Sequence, residues 1–489
     1  MPGSTPHVRV LVVGAGFAGL GMSIALQREG VDHVVLERSG DVGGTWRDNS
    51  YPGCKCDVAS HLYSFSFALN PDWTWTYSSH AEIWDYLRRC AERFGVLPRI
   101  RFGEEMCDAR WDEAARRWEI ETARGRWTAD VLVSATGGLS VPSLPDLPGL
   151  DRFSGTVFHS AAWDHGHDLA GERVALIGTG ASAVQIVPRI QPLVGRLLLF
   201  QRTPAWVLPH GDRPIPPWKR ALYRRVPALQ RLVRWGIYWS RELLVVGLCR
   251  NPRWVEPIRR IATRHLEEQV PDPELRARLT PTFSPGCKRL LLSNEYYPAL
   301  AAPNVDVITE PIREVGERSI RTADGAEHEV DTIVLATGFR VTDNPAFERV
   351  RGRTGRSLAE SWRETGMQAY LGTTVSGFPN LFLVTGPNTG IGHTSLVVMI
   401  EAQVRYVMAA LLTMGRRGVA AVDVRPEAQT EFNDELQVRM RRTVWNTGGC
   451  ASWYLDARGR NTTLWPDFTW RFGRRTRRFD ARAYELLAR

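Results

Sequence analysis

A chain of 489 residues, 43% of them hydrophobic, can bury a large core and should divide into two or more domains. Its start, MPGSTPHVRVLVVGAG, runs directly into an apolar strand and a glycine turn with none of the marks of a secretory leader, so the expected location is cytoplasmic. Seven scattered cysteines without paired spacing argue against a disulfide framework or a zinc site, and the net charge of +9 is far from evenly spread.

The first forty residues read as one βαβ unit. HVRVLVV is a short apolar strand, GAGFAG supplies Gly14, Gly16 and Gly19, an Ala/Leu/Ile helical stretch follows, and VDHVVLE is a second strand ending in Glu37. In this pattern the first glycine allows a tight turn. The second lets the backbone approach a pyrophosphate, the third lets helix and strand pack closely, and the helix N-terminus favours negative charge. Glu37 at the strand end is placed to accept hydrogen bonds from a ribose diol, which requires a free 2′-hydroxyl, as in FAD or NAD.

After an apolar strand in VLVSATGG (131–138), the stretch VPSLPDLPGLDRF, with Pro142, Pro145 and Pro148, reads as a stiff connector. A second unit starts at residue 171, where GERVALIGTGASA gives a strand and a G-x-G-x-x-A turn containing Gly178, Thr179, Gly180, Ala181 and Ser182. Here the second strand, RLLLFQR, ends not in an acid but in Arg202, a guanidinium able to grip a 2′-phosphate. The first unit therefore suits FAD and the second NADPH. DTIVLATGFR (331–340) nearly repeats the 131–138 strand, which suggests where the chain leaves and re-enters the first domain. The expected fold is α/β, with two Rossmann-like dinucleotide-binding domains. An NADPH domain (151–334) sits inside a discontinuous FAD domain (1–150 and 335–489), and a helical insertion covers about 205–285.

Most of the positive charge lies in that insertion. Residues 213–264 carry a balance of +11 and residues 471–489 one of +5. Neither segment resembles a nucleic-acid module, so no nucleic acid is expected. The insertion also holds Trp218, Trp235, Trp239 and Trp254, leaving two readings open: helices covering an active site, or a peripheral membrane surface. The apolar run from Leu243 to Leu248 is too short to span a bilayer.

The stretch FSGTVFHSAAWD, with Phe153, Gly155, His159, Trp163 and Asp164, matches the fingerprint F-x-G-x-x-x-H-x-x-x-W-[PD] at every fixed position. GGTWRDNSYPGCKCD, from Gly43 to Asp57, matches G-G-x-W followed by Y-P-G-x-x-x-D. On these motifs the whole chain resembles the flavin-dependent Baeyer-Villiger monooxygenases, within the class B flavoprotein monooxygenases. The resemblance implies a NADPH- and O₂-dependent FAD enzyme that inserts an oxygen atom next to a ketone carbonyl, through a flavin peroxide, to give an ester or lactone. Attack by the anionic peroxide calls for a fixed cation. The segment SPGCKRLLLSNEYYPAL looks like the one in which Arg289 serves that role while Lys288 reaches the 2′-phosphate. The chain has only three lysines, Lys55, Lys219 and Lys288, against 59 arginines, an independent reason to single Lys288 out.

By the same resemblance Asp57 orients Arg289, Gly44, Thr45 and Trp46 line the flavin, and Asn388 belongs to a loop against it. Trp453 would lie near nicotinamide and substrate, and His159 and Trp163 would couple linker conformation to cofactor position. No metal is expected. Three rival readings stay open: an N- or S-oxygenase acting on an amine or sulfide, a disulfide reductase, and a membrane-associated flavoprotein sensor. The reductase suits the sequence poorly, because Cys54 and Cys56 have a single residue between them. Which ketone is used and the oligomeric state are not legible.

Overall fold

The structure, a computed structural model, describes residues 5–488. Two sheets organise it. In the first, the strands follow the order Val350–Arg351, Met106–Asp112, Arg117–Thr122, Gly125–Ser134, His7–Val13, His33–Glu37, Ile100–Phe102, and Leu381–Leu383 also pairs with Gly125–Ser134. The three central strands are parallel, and Val10, Leu11 and Val12 have no exposed surface: Val10 and Val12 pack in the cluster of the Phe17–Arg28 and Leu396–Arg417 helices, Leu11 in one with Trp111, Trp118 and Trp362. The strand expected at 131 begins at Gly125, because its first residues pair antiparallel with Arg117–Thr122.

The second sheet has five strands, all parallel, in the order Val305–Ile308, Arg196–Phe200, Arg173–Ile177, Thr332–Leu335, Thr156–His159. The chain enters this sheet at Thr156 and leaves it at Leu335, and the two connecting segments run side by side. Ser143 N–H donates to Gly338 O at 2.8 Å, and Arg340 N–H to Val141 O at 2.9 Å. The rigidity anticipated for the proline-rich segment thus has a second source, pairing with the returning strand.

Between Trp206 and Cys287 lie the helices Pro217–Arg225, Pro227–Glu242, Glu256–Gln269 and Pro273–Leu279, with a π turn at Val246–Arg250. This insertion lies against the first body: Arg234 donates to the carbonyls of His61 and Leu62, and Gln230 to that of Asn70. The Leu396–Arg417 helix is long and apolar enough to cross a membrane by length and composition, but 61% of its apolar window is buried, and it packs on Phe17–Arg28 in the largest core cluster.

One cystine departs from the sequence expectation. Cys287 and Cys450 are bonded, and the other five cysteines are free. The partners are 163 residues apart, so only the fold, which lays 284–287 against 444–450, brings them together.

Candidate active site

Both glycine turns have the form the spacing predicts. Gly14 has φ +103°, and a Cβ there would stand 2.7 Å from Ala135 O; Gly178 has φ +123°, and a Cβ there would stand 2.3 Å from Ala336 O. Only glycine meets both demands. Each turn opens a helix, Phe17–Arg28 or Ala181–Ile190, whose N-cap is a glycine without a side chain to cap it. The first-turn amides are therefore left to an external acceptor, and a phosphate is the fitting one. At Gly180 nothing lies within 4 Å of the Cβ position, so the cradle is open.

The strand-end residues differ as their chemistry requires. Glu37 is buried; Oε2 accepts from Ala15 N–H at 2.8 Å and Oε1 from Ser39 N–H at 3.0 Å, with Arg47 Nη1 at 3.3 Å from Oε1. Oε1 is thereby filled, while Oε2, with a single donor, keeps acceptor capacity for a hydroxyl. Arg202 is exposed at the end of the second unit. Lys288, half-buried, has its ammonium pKa pushed down, first by burial and then by the charge of Arg202. Two cations near enough for the charge of one to act on the other could together hold a dianion.

Arg289 and Asp57 meet as a two-point ion pair. Nε donates to Oδ2 and Nη2 to Oδ1 (2.6 Å for the latter), while Nη1 lies 3.5 Å from Ile391 O. Burial alone would raise the Asp57 carboxyl pKa, but the Arg289 charge overrides it and holds the group below the usual carboxylate range. Asp57 in turn pushes the guanidinium higher still. The Arg289 side chain nonetheless keeps 38% of its surface open, so one edge of the cation faces a space and not the core.

Four segments build this corner. Gly44 packs on Gly16, where a Cβ would lie 3.2 Å from the Gly16 Cα, and so ties the G-G-T-W turn to the first glycine loop. Thr45 opens a short helical turn, Thr45–Asp48, and Trp46 Nε1 donates to Tyr63 OH at 3.1 Å. The loop 51–57 reaches the other body: Tyr51 OH donates to Gln185 Oε1 at 3.0 Å, and a Cβ at Gly53 would be 2.6 Å from Gln185 O, on the helix opened by Gly180. Asp57 therefore ends a loop seated on the second nucleotide unit. Asn388 has φ +55°, is buried, and donates from Nδ2 to the carbonyls of Asn461 and Leu464, while its Oδ1 has no partner.

The remaining sequence candidates divide. Trp453 is 51% exposed, whereas its neighbour Tyr454 is buried and close enough to Arg289 and Asp57 for their charges to act on its hydroxyl. Sequence reasoning missed Tyr454 and Tyr63; the only signal was that Tyr454 follows Trp453, and Tyr63 had none. His159 is buried, its Nδ1 accepts from Ala161 N–H at 3.0 Å, and its ring meets Phe339 edge-on at 5.9 Å, at the paired connectors. Trp163 packs edge-on against Phe158 at 4.9 Å in the core of the second sheet. Thr179 Oγ1 donates to Thr203 O at 2.7 Å, and Ala181 and Ser182 start the helix above the open cradle. No cluster of metal-ligating side chains occurs among the described residues.

Known proteins resemble this chain over its length. The family model described as "Flavin-binding monooxygenase-like" matches residues 7–235. A Baeyer-Villiger monooxygenase of Streptomyces coelicolor is 56% identical over 486 residues, 98% of this chain and 93% of its own length. The solved cyclohexanone monooxygenase from Rhodococcus sp. Phi1, bound to NADP+, superposes with a TM-score of 0.88 at 29% identity, covering 99% of this chain and 100% of that one. The solved OTEMO complex with FAD and NADP gives 0.88 at 28% identity with the same coverage.

Proposed function

This chain belongs to the Baeyer-Villiger monooxygenases, and we propose how its residues share the work of a NADPH- and FAD-dependent insertion of one oxygen atom of O₂ beside a ketone carbonyl. FAD lies in the part formed by 1–150 and 335–489, NADPH on 151–334. The uncapped Phe17–Arg28 helix takes the FAD pyrophosphate and Glu37 its ribose, with Gly44, Thr45, Trp46 and Asn388 against the flavin; the open turn at Gly180 takes the NADPH pyrophosphate. Arg202 and Lys288 hold the 2′-phosphate. The flavin, when bound, accepts hydride from the nicotinamide and supplies the activated oxygen.

The observation that carries this reading is the Arg289–Asp57 pair with its open edge. As oxygen adds to a carbonyl, negative charge builds on the reacting oxygens, and a fixed guanidinium stabilises it without having to reorganise. Asp57 gives the cation one orientation, and its depressed pKa keeps it charged near neutrality. Oxygenation of an amine or sulfide needs no such cation, which makes ketones the preferred substrates and sulfides secondary ones. His159 and Trp163, at the start of the second sheet, transmit changes in the connector to the cofactor sites. The cytoplasm, which supplies NADPH, remains the proposed location.

The test is aerobic incubation of the flavin-loaded protein with NADPH and a panel of cyclic, linear and aryl ketones alongside sulfides, with products identified by mass. An ester or lactone heavier than its ketone by one oxygen is expected. Sulfoxides alone, with every ketone returned unchanged, would reject ketone insertion.

A further inference from the structure

The helix Pro227–Glu242 is turned inside out. Its two fully buried residues are Gln230 and Glu242, and the face it lays on the protein carries Arg234 and Arg241 beside the half-buried Ile237 and Tyr238. Leu232, Trp235, Trp239 and Leu243 follow one another at steps of three, four and four residues, so they form one stripe. That stripe faces outward, with exposures of 60%, 61%, 40% and 70%. A surface helix of a globular protein does the reverse. Such an apolar stripe held in water is unfavourable by the area it exposes, and outward orientation at this scale marks a contact.

The patch is local. Eight of the seventeen large apolar side chains exposed among the described residues lie between Trp218 and Ile261, which sets this face apart from ordinary scattered exposure. Trp254, 67% exposed, is carried by a backbone that packs on Gly247, one turn beyond Leu243. The two basic segments meet here: Glu242, at the end of the inverted helix, accepts from Thr469 N–H at 3.0 Å, and Arg250 reaches Asp467 at 3.0 Å. Trp470 and Arg471, which follow Thr469 in the chain, are thereby brought close to the end of this helix. Arg225, Arg231 and Arg253 are exposed around the stripe and have no carboxylate partner among the described residues.

We propose that this face docks on an anionic lipid surface, with the stripe of Trp235 and Trp239 entering the headgroup region and the surrounding arginines meeting lipid phosphates. Amphipathic indole rings and flanking arginines are the combination that a charged interface accommodates. A second copy of the chain fits worse, because the same face would set two arrays of positive charge against each other. The contact is peripheral, since the Leu396–Arg417 helix is committed to the core.

Co-sedimentation of the holoenzyme with vesicles of phosphatidylglycerol or of phosphatidylcholine tests this. Binding to phosphatidylglycerol at low salt, fading as salt is raised, with little binding to phosphatidylcholine, is expected. In the double variant Trp235→Gln/Trp239→Gln the partition coefficient should fall by about tenfold or more, while ketone turnover without vesicles stays at the unsubstituted level. The proposal is overturned by absence of binding to phosphatidylglycerol at low salt, by equal binding to both lipids, or by undiminished binding of the double variant. A dimer in solution that the same two substitutions dissolve would assign the stripe to a second copy instead.

Discussion

Arg289→Ala separates oxygen insertion from mere consumption of NADPH. A guanidinium has five N–H donors. In this structure two are given to Asp57 and a third points at Ile391 O, which leaves one on Nη1 and one on Nη2 for a reacting oxygen. A hydrogen bond to a charged group contributes about 1.5–3 kcal/mol, so losing both removes roughly 3–6 kcal/mol from the insertion step, on the order of 10²- to 10⁴-fold in rate. Hydride transfer needs only nicotinamide and flavin in contact and should survive, slowed no more than a few-fold by local repacking. The variant should therefore oxidise NADPH, consume O₂ and release H₂O₂ while forming almost no ester. Asp57→Ala keeps the charge but frees it, and the resulting slack should cost about a hundredfold. Parallel measurement of NADPH absorbance, oxygen uptake, peroxide and product by gas chromatography distinguishes these outcomes. Ester formed by Arg289→Ala in step with NADPH would show that another group stabilises the oxygen and that the ion pair is structural.

Other consequences can be checked independently. Arg202→Ala or Lys288→Ala should raise the KM for NADPH by about ten- to a hundredfold, the equivalent of one charge-assisted bond, and leave that for NADH nearly unchanged; equal use of both coenzymes by the unsubstituted enzyme would rule out a 2′-phosphate site. His61, under the inverted helix and bonded to Gln230, has its pKa lowered to about 4, by burial first and then by Arg234 and Lys219. Between that value and about 6.5 the unfolded chain binds the proton that the folded one refuses, so stability is full above about 6.5 and falls as pH drops, by at most about 3 kcal/mol from this residue. Thermal melting of His61→Gln should show a flatter acid slope, and an unchanged slope would assign the acid sensitivity elsewhere. Finally, thiol titration of the denatured protein should find five free cysteines before reduction and seven after it. Seven without reductant would mean that Cys287 and Cys450 are unlinked as isolated, the state a reducing cytoplasm favours.

What the sequence made legible was what short spans of backbone dictate. The glycine turns followed from spacing because Gly14 and Gly178 need a positive φ and a close neighbour wherever such a turn is built. The contrast of Glu37 with Arg202 followed because a strand end stays beside its own turn. Arg289 and Asp57 are 232 residues apart and no periodicity links them; resemblance alone paired them. The cystine escaped because spacing says nothing about loops that meet only after folding. Tyr454 escaped in favour of Trp453 because adjacent residues in a loop can face opposite ways, one into the corner with Arg289 and the other into solvent. The inverted helix is the sharpest case. An apolar stripe in a sequence is ordinarily assigned to the core, and only the bonds of Gln230, Arg234 and Arg241 to the first body show that these polar residues face inward, beside Ile237 and Tyr238, while Leu232, Trp235 and Trp239 face out.

The surplus of positive charge then has a physical reading that composition could not provide. Many of the exposed arginines are met by acids of the same chain, as Arg126 is by Glu121 and Arg89 by Asp85, and exposed pairs of this kind contribute little to folding. The excess collects in two places of different character. At Arg202 and Lys288 the charges are close together and one is half-buried, a desolvated arrangement that is unfavourable until a compact dianion arrives, as a coenzyme phosphate would be. Around the inverted helix Arg225, Arg231 and Arg253 are spread widely, exposed, and interleaved with indole rings, an arrangement that binds no single small anion but suits an extended surface of many weak charges. Salt should therefore act differently on the two: vesicle binding should disappear over a range in which the KM for NADPH rises only modestly, because screening weakens exposed charges far more than partly buried ones.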